Sequence, residues 1–420
     1  MNRLNYTIIL LFLSFPALAQ QEILSLEDCY RLAGENYPLI QKQDLIRKTE
    51  QYSLENASKL YLPQLSFTGQ ASYQSETVRF PAGMPGASFP ELSKDQYKIA
   101  GEVSQAVFDG GLSRNLKASA RIAAETEQQA LEVNLYTLKE RITQIYFAVL
   151  LMDQQLKQRQ LKKDNLQRAF GKIKAAYQNG TAYKSNAEEL EAELINSDAA
   201  EIELRLNQEA FLKQLSLLTG KEITGSGQLI IPVEKHADFK ISRPELKLFD
   251  AKTDMTALRK KQLKTNYLPK INAFFQGAYG RPTLNFLEDE FGFWYIGGLR
   301  LNWNLGSLYT LSNRKRLLEI EKRSLDAEKE TFLFNTRQNL IQQDKEIEKY
   351  RRLIEKDEAV IELRTSVKKS AEAQLDNGVI TVRDYIGYVN AENFARQNLI
   401  LHKIQLLQAQ YQFNNISGGN

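Results

Sequence analysis

Two hydrophobic periods alternate along this chain, and each predicts a different kind of element. A period of two appears in four places. Leu65, Phe67, Gly69, Ala71 and Tyr73 share one face of an extended segment whose other face carries Gln64, Ser66, Thr68, Gln70 and Ser72. Tyr97, Ile99, Val103 and Val107 oppose Lys98, Glu102 and Ser104. Ile271, Ala273, Phe275 and Tyr279 oppose Lys270, Asn272 and Gln276. Phe293, Tyr295, Leu299, Leu301 and Trp303 oppose Arg300, Asn302 and Asn304. The pattern predicts strands at about residues 64–79, 96–109, 270–280 and 291–304, joined in pairs by loops rich in Pro, Gly and charge.

A period of seven governs most of the remainder. Leu131, Leu135, Leu138, Ile142, Ile145, Val149, Met152 and Leu156 step by four and three, and Leu333, Leu340, Ile347, Ile354 and Ile361 recur every seventh residue. Ile400, Ile404, Leu407 and Tyr411 continue the step near the end. Between Gly111 and Tyr177 there is no Pro and one Gly, Gly171; between Ser307 and Leu375 there is neither. Long helices are expected at residues 112–178 and 308–376, each roughly 100 Å at 1.5 Å per residue. Return helices are expected at 184–218 and 381–415, and shorter ones at 26–60 and 244–266. A sustained heptad favours antiparallel coiled coils with left-handed supercoiling.

The order of elements occurs twice. Asn36-Tyr37-Pro38-Leu39 precedes Tyr61-Leu62-Pro63 by the same distance that Arg243-Pro244-Glu245-Leu246 precedes Tyr267-Leu268-Pro269. Phe108-Asp109-Gly110-Gly111 then pairs with Asn304-Leu305-Gly306-Ser307, and Asn179-Gly180 with Asn377-Gly378. The chain therefore reads as two internal repeats, residues 20–219 and 243–420, joined by a linker at 220–242 that holds Gly225-Ser226-Gly227.

Apolar-out, polar-in alternation over nine to eleven residues fits a tilted membrane strand. It also fits a soluble antiparallel sheet over a core. Number decides between them. Four strands cannot close a barrel, and open edges are not tolerated in lipid, so closure calls for several chains, and three copies supply twelve strands. The N-terminus agrees with export. Arg3, an apolar run from Tyr6 to Phe15 and Ala17-Leu18-Ala19 read as a cleaved signal at residues 1–19. No later stretch is apolar for the length a membrane helix needs.

Charge is high but balanced, at +4 over 420 residues, which lacks the basic stripe of a nucleic-acid binder. The single Cys29 cannot form an internal disulfide and reads as a buried helix residue. Catalytic constellations are missing from the pattern. His236 and His402 stand without ligand clusters, and Thr219-Gly220-Lys221 lacks the earlier Gly of a phosphate loop. No catalytic, cofactor-binding or metal residue is assigned.

With these pieces in order, the sequence resembles the outer-membrane efflux protein family, the TolC-like ducts. The resemblance rests on the duplicated Asn/Arg-x-Pro-x helix starts, the Leu-Pro strand starts at Leu62 and Leu268, Val107-Phe108-Asp109-Gly110-Gly111, and the Gly180 and Gly378 turns. It implies an α + β membrane protein: a trimeric twelve-stranded β-barrel, four strands per chain, continuous with an antiparallel coiled-coil α-helical barrel. It implies a homotrimer in the outer membrane of a Gram-negative-type bacterium, reaching into the periplasm. The implied partners are a periplasmic adaptor (membrane fusion) protein, an inner-membrane transporter and outer-membrane lipid, with no nucleic acid and no cofactor. By the same resemblance Asp384 is a pore-lining carboxylate at the aperture, with Asn186 at the matching position of the first repeat. Gly180, Thr181, Gly378 and Val379 are the adaptor-docking tip. Ile380 stands where the family places an arginine that helps close the tip, and Gly387 where it places a second acid. The rival reading is a periplasmic or extracellular coiled-coil scaffold without a pore.

Overall fold

The computed structural model describes residues 23–78, 92–236, 238–265, 267–285 and 288–419. The expected signal at 1–19 and most of the first strand loop lie outside the described residues. Two compact units are present. One holds Leu138–Asp238, Ile341–Asn415 and the N-terminal segment up to Tyr37; the other holds Pro38–Thr137, Phe239–Leu340 and the chain end from Ile416.

In the second unit, β1 (Gln64–Tyr73), β2 (Asp95–Phe108), β3 (Lys270–Arg281) and β4 (Gly292–Asn302) form one antiparallel sheet in sequence order. β1 stops at Tyr73, short of the expected residue 79. The register aligns Phe67 with Gly101, Val103 with Phe275, and Gly277 with Tyr295, so the alternating apolar residues named above share one face across all four strands, while Phe274, Trp294 and Ile296 fall on the other. The first face is exposed: Phe67 is 75% accessible and Phe293 86%. A bulge between Ala106 and Phe108 shifts the β2–β3 register near the end of β2, where local twist increases. Among the described residues, β1 and β4 each pair on one side only.

Strand passes to helix through Asp109. Its carboxylate accepts from the backbone N–H of Gly111 and of Ser113, both at 2.7 Å, an N-terminal cap for α3 (Leu112–Gln178). Gly110 takes φ +67°, and a side chain there would meet Leu268 Cβ at 3.2 Å. Ser113 Oγ donates to Ala57 O of α2 (Lys42–Lys59) at 2.6 Å, and Asn115 of α3 donates to Thr265 of α5 (Pro244–Thr265) at 2.6 Å. Trp303 Nε1 donates to Tyr267 O at 3.0 Å. The strand ends are thereby tied to the helices that precede and follow them.

The expected helix at 26–60 is interrupted. α1 (Leu26–Asn36) ends at Tyr37, whose ψ of 128° is extended, and a 3-10 turn at Pro38–Gln41 precedes α2. Pro38 causes the break: its ring disfavours helical backbone at the preceding residue and it offers no N–H. The second long helix, α6 (Leu311–Asp376), likewise starts later than expected, after a 3-10 segment at Leu305–Thr310. α4 spans Lys184–Thr219 and α7 spans Val382–Ser417.

In the first unit the heptad residues Leu138, Ile142, Ile145 and Val149 of α3 are buried with Leu26, Cys29 and Leu32 of α1, Leu212 and Leu215 of α4, and Ile404 and Tyr411 of α7. Phe147, 1% accessible, packs at the centre with its ring 5.7 Å from that of Tyr411. Tyr146 Oη donates to Leu24 O and Ile230 O at 3.0 and 2.7 Å, fastening the linker where Leu24 bridges Leu229. Burial pushes the Cys29 thiol up to about 12, an unreactive thiol packed as a small hydrophobe.

Candidate functional site

Two helix-to-helix turns carry the residues singled out in the sequence. In the first, Gly180 donates to Tyr177 O at 3.0 Å and Thr181 to Ala176 O at 2.8 Å; in the second, Gly378 donates to Leu375 O at 3.0 Å and Val379 to Gln374 O at 2.8 Å. Both are Schellman turns, which close the last carbonyls of a helix through a left-handed residue. Gly180 and Gly378 supply that residue with φ of +71° and +69°. A Cβ at either would meet nothing within 4 Å, so backbone conformation rather than space selects glycine.

The helix starts that follow are built differently. At α7, Thr381 Oγ1 donates to Asp384 Oδ2 at 2.6 Å, the Thr381 backbone N–H donates to the same oxygen at 3.1 Å, and the Asp384 N–H donates to Thr381 Oγ1 at 3.1 Å. This reciprocal capping box occupies one carboxylate oxygen of Asp384. The Thr381 hydroxyl and then its backbone N–H hold the Asp384 carboxyl below its ordinary value. At α4 the capping position is Tyr183, whose side chain makes no cap. Asn186, half-buried, donates its backbone N–H to Tyr183 O at 3.1 Å.

Beneath the turns, Leu166 and Ala169 of α3, Leu190 of α4, Ala371 of α6 and Val382, Tyr385, Ile386 and Val389 of α7 form a second core, with Ile380 packed against it. Ile380 is thus half-buried against this core, while Gly387 faces open space. Left exposed at the turns are Thr181, Tyr183 and Val379, the last 70% accessible. Lys172 reaches Asp376 at 2.9 Å, and Arg383 lies 3.8 Å from Glu189, surface pairs that contribute little.

One polar cluster escaped the sequence pattern. Glu392 is 4% accessible and accepts from Lys368 Nζ at 2.7 Å, Arg396 Nη2 at 2.8 Å and Thr365 Oγ1 at 3.0 Å. Burial alone would raise its carboxyl, but Lys368, Arg396 and Thr365 outweigh it and the net shift is downward. It borders a cleft of about 740 Å³ that Gln158, Lys162 and Arg168 also line. Only the Glu392/Arg396 spacing on one helix was readable beforehand. Among the described residues no group of His, Cys, Asp or Glu is arranged to hold a metal ion, and no helix is long and apolar enough to cross a membrane. His402 Nδ1 lies 2.5 Å from Asp357 Oδ2.

Residues 29–221 match the family model described as outer membrane efflux protein. That match covers a little under half of the chain. The fold of the whole chain is similar to those of solved outer-membrane proteins. VceC, an outer membrane protein of Vibrio cholerae, superposes with a TM-score of 0.68 at 12% identity, covering 94% of this chain and 96% of that one. The CmeC outer membrane channel of Campylobacter jejuni gives 0.66 at 14% identity, covering 94% and 85%. The open state of the MtrE outer membrane channel of Neisseria gonorrhoeae gives 0.65 at 11% identity, covering 94% and 89%. No curated protein matches the sequence. The fold of the described residues, a four-stranded antiparallel sheet and long helices, is similar to that of these solved structures.

Proposed function

We propose that this chain is one protomer of a trimeric outer-membrane exit duct in a tripartite efflux or type I secretion system. Three sheets close into a twelve-stranded barrel, and α3, α4, α6 and α7 of each copy wall a periplasmic tunnel. Cargo passes passively from an inner-membrane transporter through an adaptor-bound tip; the duct itself catalyses nothing. In this reading Gly180, Thr181, Gly378 and Val379 face the adaptor, and Asp384 with Asn186 borders the aperture. Only one oxygen of Asp384 is bound in its cap, so the carboxylate keeps the charge that an aperture ring would use.

The observation that carries the reading is the sheet. It exposes a face of Leu65, Phe67, Ile99, Phe275, Phe293 and Leu299 while β1 and β4 each leave one edge unpaired. In lipid an open edge leaves backbone groups unsatisfied at several kcal/mol each, so this face is consistent with membrane only if neighbouring copies pair β1 with β4. Fractionation tests it. The protein should sediment with the outer membrane and come into solution only with detergent. Recovery from the soluble periplasmic or extracellular fraction would favour the scaffold reading instead.

A further inference from the structure

The polar face of the sheet is not electrically neutral. Lys98 on β2, Lys270 at the start of β3 and Arg300 on β4 share that face with Glu102 as its one carboxylate. Arg300 closes on Glu102 through two bonds, Nη1 to Oε1 at 3.0 Å and Nη2 to Oε2 at 3.3 Å, and Gln276 Nε2 donates to Oε2 at 3.3 Å. The carboxylate is therefore spent inside a neutral bidentate pair. Lys98 and Lys270 remain, and neither ammonium makes an ion pair among the described residues. Lys98 Nζ lies 4.8 Å from the ring centroid of Trp294 on the same face. An aromatic partner holds the ammonium in place without cancelling its charge. The guanidinium of Arg300 likewise stacks on Phe274 at 4.4 Å, which fixes the neutral pair against the wall.

The opposite face shows that this asymmetry belongs to one side. Its charges, Asp95 and Arg281, sit at the strand ends and pair with each other at 2.6 Å, beside the stacked rings of Tyr97, Phe291 and Tyr279. Rings and a compensated pair at a strand end suit the membrane–water interface.

We propose that the sheet-lined segment of the duct favours anions, and that anionic cargo, or anionic groups on larger cargo, passes it in preference to cations. Two uncompensated ammonium groups per chain, repeated in every copy around one lumen, form a positive wall. Asp384 belongs to a separate aperture and carries the opposite sign, so two independent charge filters act along one path. The inference rests on the duct reading, which turns the polar faces of several copies toward a common lumen.

The test is ion selectivity of the purified protein in planar bilayers under a potassium chloride gradient. The chloride-to-potassium permeability ratio should fall about two-fold or more in the double variant Lys98→Gln, Lys270→Gln, as expected for loss of a charged pore lining. Lys98→Arg with Lys270→Arg should keep the wild-type ratio, and this conservative pair controls for assembly. The difference should shrink toward 1 M salt, where the screening length is about 3 Å. Citrate should block the wild type more strongly than the glutamine variant. Channels that conduct but keep the same ratio after both lysines are removed would overturn the proposal and leave the duct intact. Detergent-extracted protein that never conducts would overturn the duct reading itself.

Discussion

Phe147 and Phe293 are the same residue in opposite circumstances. Phe147 is sealed among α1, α3, α4 and α7 at 1% accessibility, and Phe293 stands on β4 at 86%. The helical core around Phe147 is finished within one chain. The sheet is not: among the described residues its apolar face is exposed and both of its edge strands pair on one side only. The side chain is the same in both places, so the difference lies in what each surrounding faces. One is a protein interior; the other fits lipid on its face and further copies at its edges.

The largest expected effect tests the finished side. Phe147→Ala should destabilise the detergent-solubilised protein by about 3–5 kcal/mol, the usual cost of truncating a buried aromatic. Phe293→Ala, measured by the same urea titration in detergent, should cost far less; equal losses would erase the contrast. Next comes Leu299→Arg on the exposed face. In lipid vesicles a cation near the bilayer midplane costs about 2–4 kcal/mol, whereas Ser66→Arg on the polar face should insert and assemble normally. If both variants behave alike, the two faces are not lipid and lumen.

Smaller effects probe the turns, which resemble the core in being locally complete. Gly378→Ala should lower stability by about 1–2 kcal/mol, the cost of a left-handed backbone with a Cβ, and Gly180→Ala should match it because both turns carry the same hydrogen bonds. Thermal melts in detergent would show this. The capping box should matter least. Thr381→Ala should cost about 1 kcal/mol. The folded carboxyl of Asp384 is depressed, so its contribution is fully present above the ordinary aspartate range and is lost as pH falls through the lowered folded value. Asp384→Asn should flatten the wild-type pH dependence there; a slope left unchanged would show that the box contributes nothing.

Much of this was legible in the chain itself, and the parts that were not share a cause. Alternation placed Leu65, Phe67 and Tyr73 on one strand face because period two survives whatever lies opposite. The heptad likewise found Leu138, Ile142, Ile145 and Val149, which are buried in the structure. Strict alternation counted back from Arg300 would also have put Trp294 on the polar face. What Trp294 meets there, Lys98 on another strand, depends on register, which no single strand reveals. The Glu392 cluster was hidden for the same reason: Lys368 and Thr365 reach it from α6, and their helix faces are ordinary charged surface when read alone. Pro38 was in plain view, inside the Asn36-Tyr37-Pro38 helix-start motif, yet the helix at 26–60 was expected to run through it.

The central claim is that several copies complete the sheet. The mass of the detergent-extracted protein, by light scattering corrected for bound detergent, tests it most directly. The account predicts a mass near three chains from protein that is insoluble without detergent. A monomer soluble without detergent would contradict it, because the exposed face and unpaired edges would then belong to a sheet that never meets lipid.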